Sequence, residues 1–202
     1  MIETAVTLLR LLLGLGAIFF LGYAMLTLLV PRPRDFTGLE RAAFSFGVGA
    51  LTLTLWMLAL TWWGLPFGLA WISGPPLALA AALLLAPWGR RAVREDWRAL
   101  QVRPRIELNG WDWLFLGLLG LVFLYALPRA ALYPMWAWDA VATWGCKARI
   151  FYASRGLDLT CIDAHNYYPN LIPLLLSYLY FALGQVNDSL AMVIFPLWEA
   201  RA

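Results

Sequence analysis

Residues 133–170 gather side chains able to do acid–base and phosphate chemistry. Asp139, Lys147 and Arg149 stand in YPMWAWDAVATWGCKARIFY, and Asp163, His165, Tyr167 and Tyr168 follow in DAHNYYPN. A carboxylate can take the proton from an attacking hydroxyl or amine, the role open to Asp139. A leaving phosphate needs positive charge or hydrogen-bond donors, which Lys147, Arg149 or His165 could supply; Tyr168 joins them as a substrate-binding candidate. Eight residues separate Asp139 from Lys147, about 12 Å along a helix. That spacing suits opposite ends of one site better than a single ion pair. Each residue also has a plainer reading. Asp139 can cap a helix, Lys147 and Arg149 can be solvated interface residues, and a lone histidine is commonly a structural hydrogen bonder. Tyr167 and Tyr168 fit an aromatic belt, and the Asp163–His165 pair is too small a set to define a metal site.

The elements that must position these residues are membrane helices. The 202-residue chain is 62% hydrophobic and 13% charged, with a mean hydropathy of +0.71; soluble domains sit near 45–50% apolar. The net charge of +3 comes from bases grouped between apolar runs, a topology signal rather than a nucleic-acid footprint. The partner implied is the lipid bilayer. Runs of about 20 apolar residues predict spans at 11–30, 42–63, 66–88, 111–128 extended by RAALY, and 167–184, with GPP at 74–76 expected to kink the third. The closing run SLAMVIFPLW begins a sixth and is too short to cross, so the chain is expected to be part of a longer protein; the other reading is a terminus lying in the interface. The opening run is expected to be a retained anchor, since no basic region precedes it and no small-residue cleavage site follows. The expected fold is an all-α polytopic bundle: three leading helices with basic links over 1–110, then a second portion over 111–202 with an outer loop at 129–166.

Arg32, Arg34 and Arg41 follow the first span and Arg90, Arg91, Arg94, Arg98, Arg103 and Arg105 the third, whereas GLP after the second holds no base. The positive-inside rule then puts both basic links in the cytoplasm and the N-terminus and the 129–166 loop outside, in a multi-pass membrane protein. Trp62, Trp63 and Trp71 fall at one interface and Trp88, Trp97, Trp111 and Trp113 at or near the other. Arg129, Lys147, Arg149 and Arg155 in the outer loop weaken the contrast. Read as a helix, the loop places Ala137, Val141, Trp144, Ala148, Phe151 and Tyr152 on one face and Asp139, Thr143, Cys146 and Lys147 on the other. This predicts an amphipathic helix in the outer interface, ended by Gly156, its Asp139 face turned to water or to protein. Cys146 and Cys161 share the loop and are consistent with a disulfide or with two free thiols.

WDAVATWGCKARIFY and HNYYPNLIPLLL together resemble polytopic glycosyltransferases of the GT-C superfamily, in particular bacterial members similar to the protein O-mannosyltransferase and aminoarabinose-transferase group, over roughly residues 111–200. The resemblance implies transfer of a sugar from a polyprenyl phosphate donor to an acceptor outside the cytoplasm, with Asp139 at the place of the acidic residue that serves the acceptor. Many members carry a paired acid motif, whereas Trp138 and Ala140 flank a single acid here, which leaves a divalent metal cofactor open. The competing expectation is a non-catalytic multi-pass protein, a transporter part or an assembly subunit. That class places charged or broken-helix sites near the midplane, and apart from SGPP and the closing tail the apolar runs read as free of buried charge.

Overall fold

The computed structural model describes residues 2–30, 38–101, 109–138, 140–160 and 166–199. Asp139, Cys161, Asp163, His165 and Arg32, Arg34, Arg103 and Arg105 lie outside the described residues. The described chain is helical: α1 (Ile2–Leu29), α2 (Gly38–Trp62), α3 (Leu69–Leu85), α4 (Pro87–Gln101), α5 (Gly110–Leu132), a π-helical turn (Ala140–Gly145) running into α6 (Cys146–Ser154), α7 (Leu171–Leu183), α8 (Asp188–Ala191) and α9 (Ile194–Glu199). Helices α1, α2 and α5 are long and apolar enough to cross a membrane, and α3 with α4 makes a fourth candidate bent by 78°. The chain is an all-α polytopic membrane protein.

Helices α1 and α2 pack antiparallel at very short range. A Cβ built on Gly22 would lie 1.7 Å from the Ser45 carbonyl oxygen, and one on Gly49 would lie 1.8 Å from that of Ile18. Lipid gives two apolar helices little hydrophobic reason to associate, so close backbone contact through small residues has to supply the attraction. Ile18, Leu21 and Ala24 of α1 and Phe46, Ala50, Leu53 and Met57 of α2 are buried around this crossing.

The third expected span differs from expectation. Helix α3 continues through Pro75 and Pro76, and the sharp bend falls instead at Ala86, which is extended at ψ 153. Proline disfavours the α region for the residue before it and is itself well suited to the first helical position, so Ala86–Pro87 closes one helix and opens the next. The basic link that follows is thus helix α4, with Gly89, Ala92 and Asp96 buried. Asp96 pairs with Arg41 (Nε to Oδ2, 3.1 Å) and accepts a 2.7 Å hydrogen bond from the Tyr23 hydroxyl. Arg41, expected in a cytoplasmic link, is therefore a buried residue one turn inside α2, 2% exposed, and the helical core does contain buried charge. A helix-end arginine can be buried when a carboxylate pairs with it, here one that a tyrosine hydroxyl also steadies; unpaired, it could not.

Helix α5 opens with a capping box. The Asn109 side chain accepts from the backbone N–H of Trp111 and Asp112 at 2.9 and 3.0 Å, and the Asp112 carboxylate accepts from the Asn109 N–H at 2.9 Å. None of its residues is buried, and it leans on α8 and α9.

The expected fifth span is shortened and reversed. Helix α7 has 13 residues, roughly 20 Å, short of a ~30 Å apolar core. It ends at Gly184, whose φ of 77° lies in the left-handed region that glycine enters without strain. Arg10 donates to the Leu183 carbonyl at 3.1 Å, and the Tyr178 hydroxyl donates to the Gly14 carbonyl at 3.0 Å, so α7 runs antiparallel to α1. A fifth span entered from the same side as the first would run parallel to it. Residues Pro173–Tyr180 are buried in the core shared with α1, α2 and α3.

Candidate functional site

The π-turn and α6 run alongside α7 in the same direction. Ala140 and Trp144 face Leu176 across one cavity, and Tyr152 meets Tyr180 and Phe181 with ring centroids 6.0 and 4.8 Å apart. At the far end of α6 the Phe67 N–H donates to the Arg155 carbonyl at 2.7 Å, tying it to the link between α2 and α3. A helix forms in this region, but the face expected to rest in the headgroup layer packs into protein instead, with Ala148 and Phe151 fully buried in the core. Of the two surroundings expected for its polar face, protein is the one found: Thr143 is 2% exposed and Lys147 is 0% exposed. The helix stops one residue before the expected Gly156, at Arg155, which takes the left-handed conformation (φ 53°).

Lys147 is the most deeply placed of the described candidates. Burial pulls its pKa below the ordinary lysine value, because removing water penalises the ammonium form. One turn earlier, Trp144 stacks on Tyr168 at 5.5 Å and 27°. Tyr168 in turn meets Tyr167 at 4.7 Å. Trp144 also borders an open cavity of about 330 Å³ walled by Met135, Ala137, Ala140, Leu176, Met192 and Phe195. Trp144 thus links the tyrosine pair to an apolar space, and Lys147 follows three residues later in the same segment.

Arg149 does not join them. Two residues on from Lys147, it is turned about 200° around the helix and pairs with Asp188 at the start of α8. Asp188 also accepts a 2.6 Å bond from the Tyr180 hydroxyl. The hydrogen bond to Asp188 raises the Arg149 pKa and leaves the guanidinium engaged in joining α6, α7 and α8. Asp188 had no motif around it; only its place just after the apolar run of α7 could have flagged it. Nearby, the Thr160 hydroxyl and N–H bond to Asp158 at 2.6 and 2.9 Å and hold that carboxyl below its usual range.

Cys146 is half-buried with a free thiol; its proposed partner Cys161 lies outside the described residues. Among the described residues no three His, Cys, Asp or Glu side chains converge as a metal site would require, and Asp139, Asp163 and His165 are not among those residues. No family model matches the chain, and no curated protein or solved structure is detectably similar to it.

Proposed function

We propose that the chain is a membrane glycosyltransferase, or the N-terminal part of one, that passes a sugar from a polyprenyl phosphate to an acceptor outside the cytoplasm of a bacterial inner membrane. The observation that carries this reading is the placement of Lys147: a basic side chain buried within the bundle, three residues after Trp144, which stacks on Tyr168 and borders an apolar cavity. A phosphate-bearing lipid needs this pairing of cation and apolar wall. In this reading Lys147 steadies the phosphate as the bond to the sugar breaks, Tyr168 and Trp144 hold the sugar or the first isoprenoid units, and Asp139 takes the acceptor proton, with His165 as a further donor. Arg149, paired with Asp188, links α6 to the start of α8.

Replacing Asp139 with Asn tests this. Asn keeps the size and most of the capping ability but removes the proton acceptor, so transfer of labelled sugar from polyprenyl phosphate by the full gene product should fall by about a hundredfold or more, with melting unchanged. Undiminished transfer would leave Asp139 as a helix cap.

A non-catalytic membrane protein is the second reading, and the buried Arg41–Asp96 pair favours it, since charge inside helical spans is common in transporters. The pair lies only one turn into α2, whereas transport sites lie near the midplane, so it weighs less than the Lys147 neighbourhood.

A further inference from the structure

We propose that α4 is a headgroup-layer helix that gathers anionic phospholipids around the bundle through Arg90, Arg91, Arg94 and Arg98. On a helical wheel of 100° per residue, Gly89, Ala92 and Asp96 point to the bundle and are buried, while the four arginines occupy the opposite side and are exposed. None of the four makes an ion pair among the described residues. Glu95, the one other acid on this helix, is half-buried off to the side. Val93 and Trp97, 37% and 65% exposed, flank the arginines on one edge and Trp88, 41% exposed, on the other.

The fold fixes where this face looks. The 78° turn at Ala86–Pro87 lays α4 across the direction of α3. Asp96 then binds Tyr23 and Arg41, which stand inside the ends of their helices, by about 9 Å for Tyr23 and about 4.5 Å for Arg41 at 1.5 Å per residue. Helix α4 therefore lies against the flank of the α1–α2 pair, near the level of the helix ends, and not below them. Its arginine face points outward along the membrane, into the layer where phosphate headgroups lie. Exposed tryptophan on either edge suits that layer, and basic clusters on amphipathic helices at this depth attract anionic lipid. The Tyr23–Asp96–Arg41 cluster, with its ion pair buried, gives the device its rigidity, because it holds α4 to the bundle whatever lipid surrounds it. The phosphodiester of an anionic phospholipid is the ligand chemistry, and the source is the surrounding leaflet.

The test uses the intact purified chain. Native mass spectrometry with phosphatidylglycerol and phosphatidylcholine in equal amounts should show retained phosphatidylglycerol in at least about tenfold excess, declining as salt rises and screening shortens. Replacing all four arginines by glutamine should bring the ratio to within about twofold of unity, whereas replacement by lysine should retain most of the preference. Wild-type protein without preference, or a glutamine variant of unchanged melting that keeps it, overturns the proposal. Should the glutamine variant fail to fold, the lysine variant decides: a preference indifferent to salt overturns the proposal, and one that declines with salt supports it.

Discussion

Placing alanine at Gly22 probes the contact on which the α1–α2 pair is built. The added methyl would lie 1.7 Å from the Ser45 carbonyl oxygen and 2.5 Å from the Gly49 nitrogen, while ordinary non-bonded approach is ~3.5 Å. The helices must therefore part by about 1.8 Å before the methyl fits. Overpacking costs about 1–3 kcal/mol when side chains can move aside. Both obstructing atoms here belong to helix backbone, which cannot rotate away, so a loss near ~3 kcal/mol is expected. Helix α1 carries its own control. A Cβ on Gly16 meets nothing within 4 Å, so Gly16→Ala should be neutral or should stabilise by up to about 1 kcal/mol through helix propensity. Unfolding of the purified protein in mixed micelles with rising SDS, followed by circular dichroism, would measure both. A loss is expected for Gly22→Ala and none for Gly16→Ala; a Gly22→Ala variant within about 0.5 kcal/mol of wild type would refute the close crossing.

Removing the Asp96 carboxylate as Asp96→Ala strands Arg41 in a buried site and should cost about 3–5 kcal/mol, while adding Arg41→Met should recover part of the loss; equal loss in the double variant would argue against the pair. Because burial depresses the Lys147 pKa, the unfolded chain binds more protons than the folded one between the two values. Stability should accordingly rise with pH up to about the ordinary lysine value of 10.5, and the slope attributable to this residue should vanish in Lys147→Met, as pH-resolved melting would show. Arg149→Gln should cost only about 1 kcal/mol or less, since the Arg149 partner of the Asp188 pair is 45% exposed; a larger loss in melting would mean that α6 depends on this latch. In intact cells, with Cys146 and Cys161 removed, a single cysteine at 158 should react with an impermeant thiol reagent and one at 94 should not; the reverse pattern would invert the topology.

Much of this arrangement could be read from the residues alone. The apolar runs of α1, α2 and α5 are long and their periodicity is swamped by uniform hydrophobicity, which is itself the mark of a helix in lipid. What the runs could not convey is which short segments return to the core. Helix α7 was too short to cross, and its direction was set by hydrogen bonds to Arg10 and Gly14, far away in the chain. Helix α4 was hidden by its charge, because six arginines between 90 and 105 look like a link until Asp96 is seen to be buried with Arg41. At the candidate site, the helical wheel set Ala148 and Phe151 on one face and Lys147 on the other, yet it could not say that protein would cover both sides. Charge alone made Arg149 a phosphate candidate beside Lys147, whereas position on the helix turns the two apart, and Asp188 then claims Arg149.

The Tyr178 to Gly14 hydrogen bond joins residues 164 positions apart, and that distance is also an interval of time. At about 5–20 residues per second, the ribosome needs roughly ten to thirty seconds between making the first partner and the second. During that interval α1 and α2 can already close on Gly22 and Gly49, but the groove that receives α7 stays unfilled and its polar backbone positions wait in lipid. The bundle must therefore reach the membrane in two instalments, a helical pair that holds by itself and a late wedge that completes it. Agents that bind exposed membrane helices would find their target only before the wedge arrives.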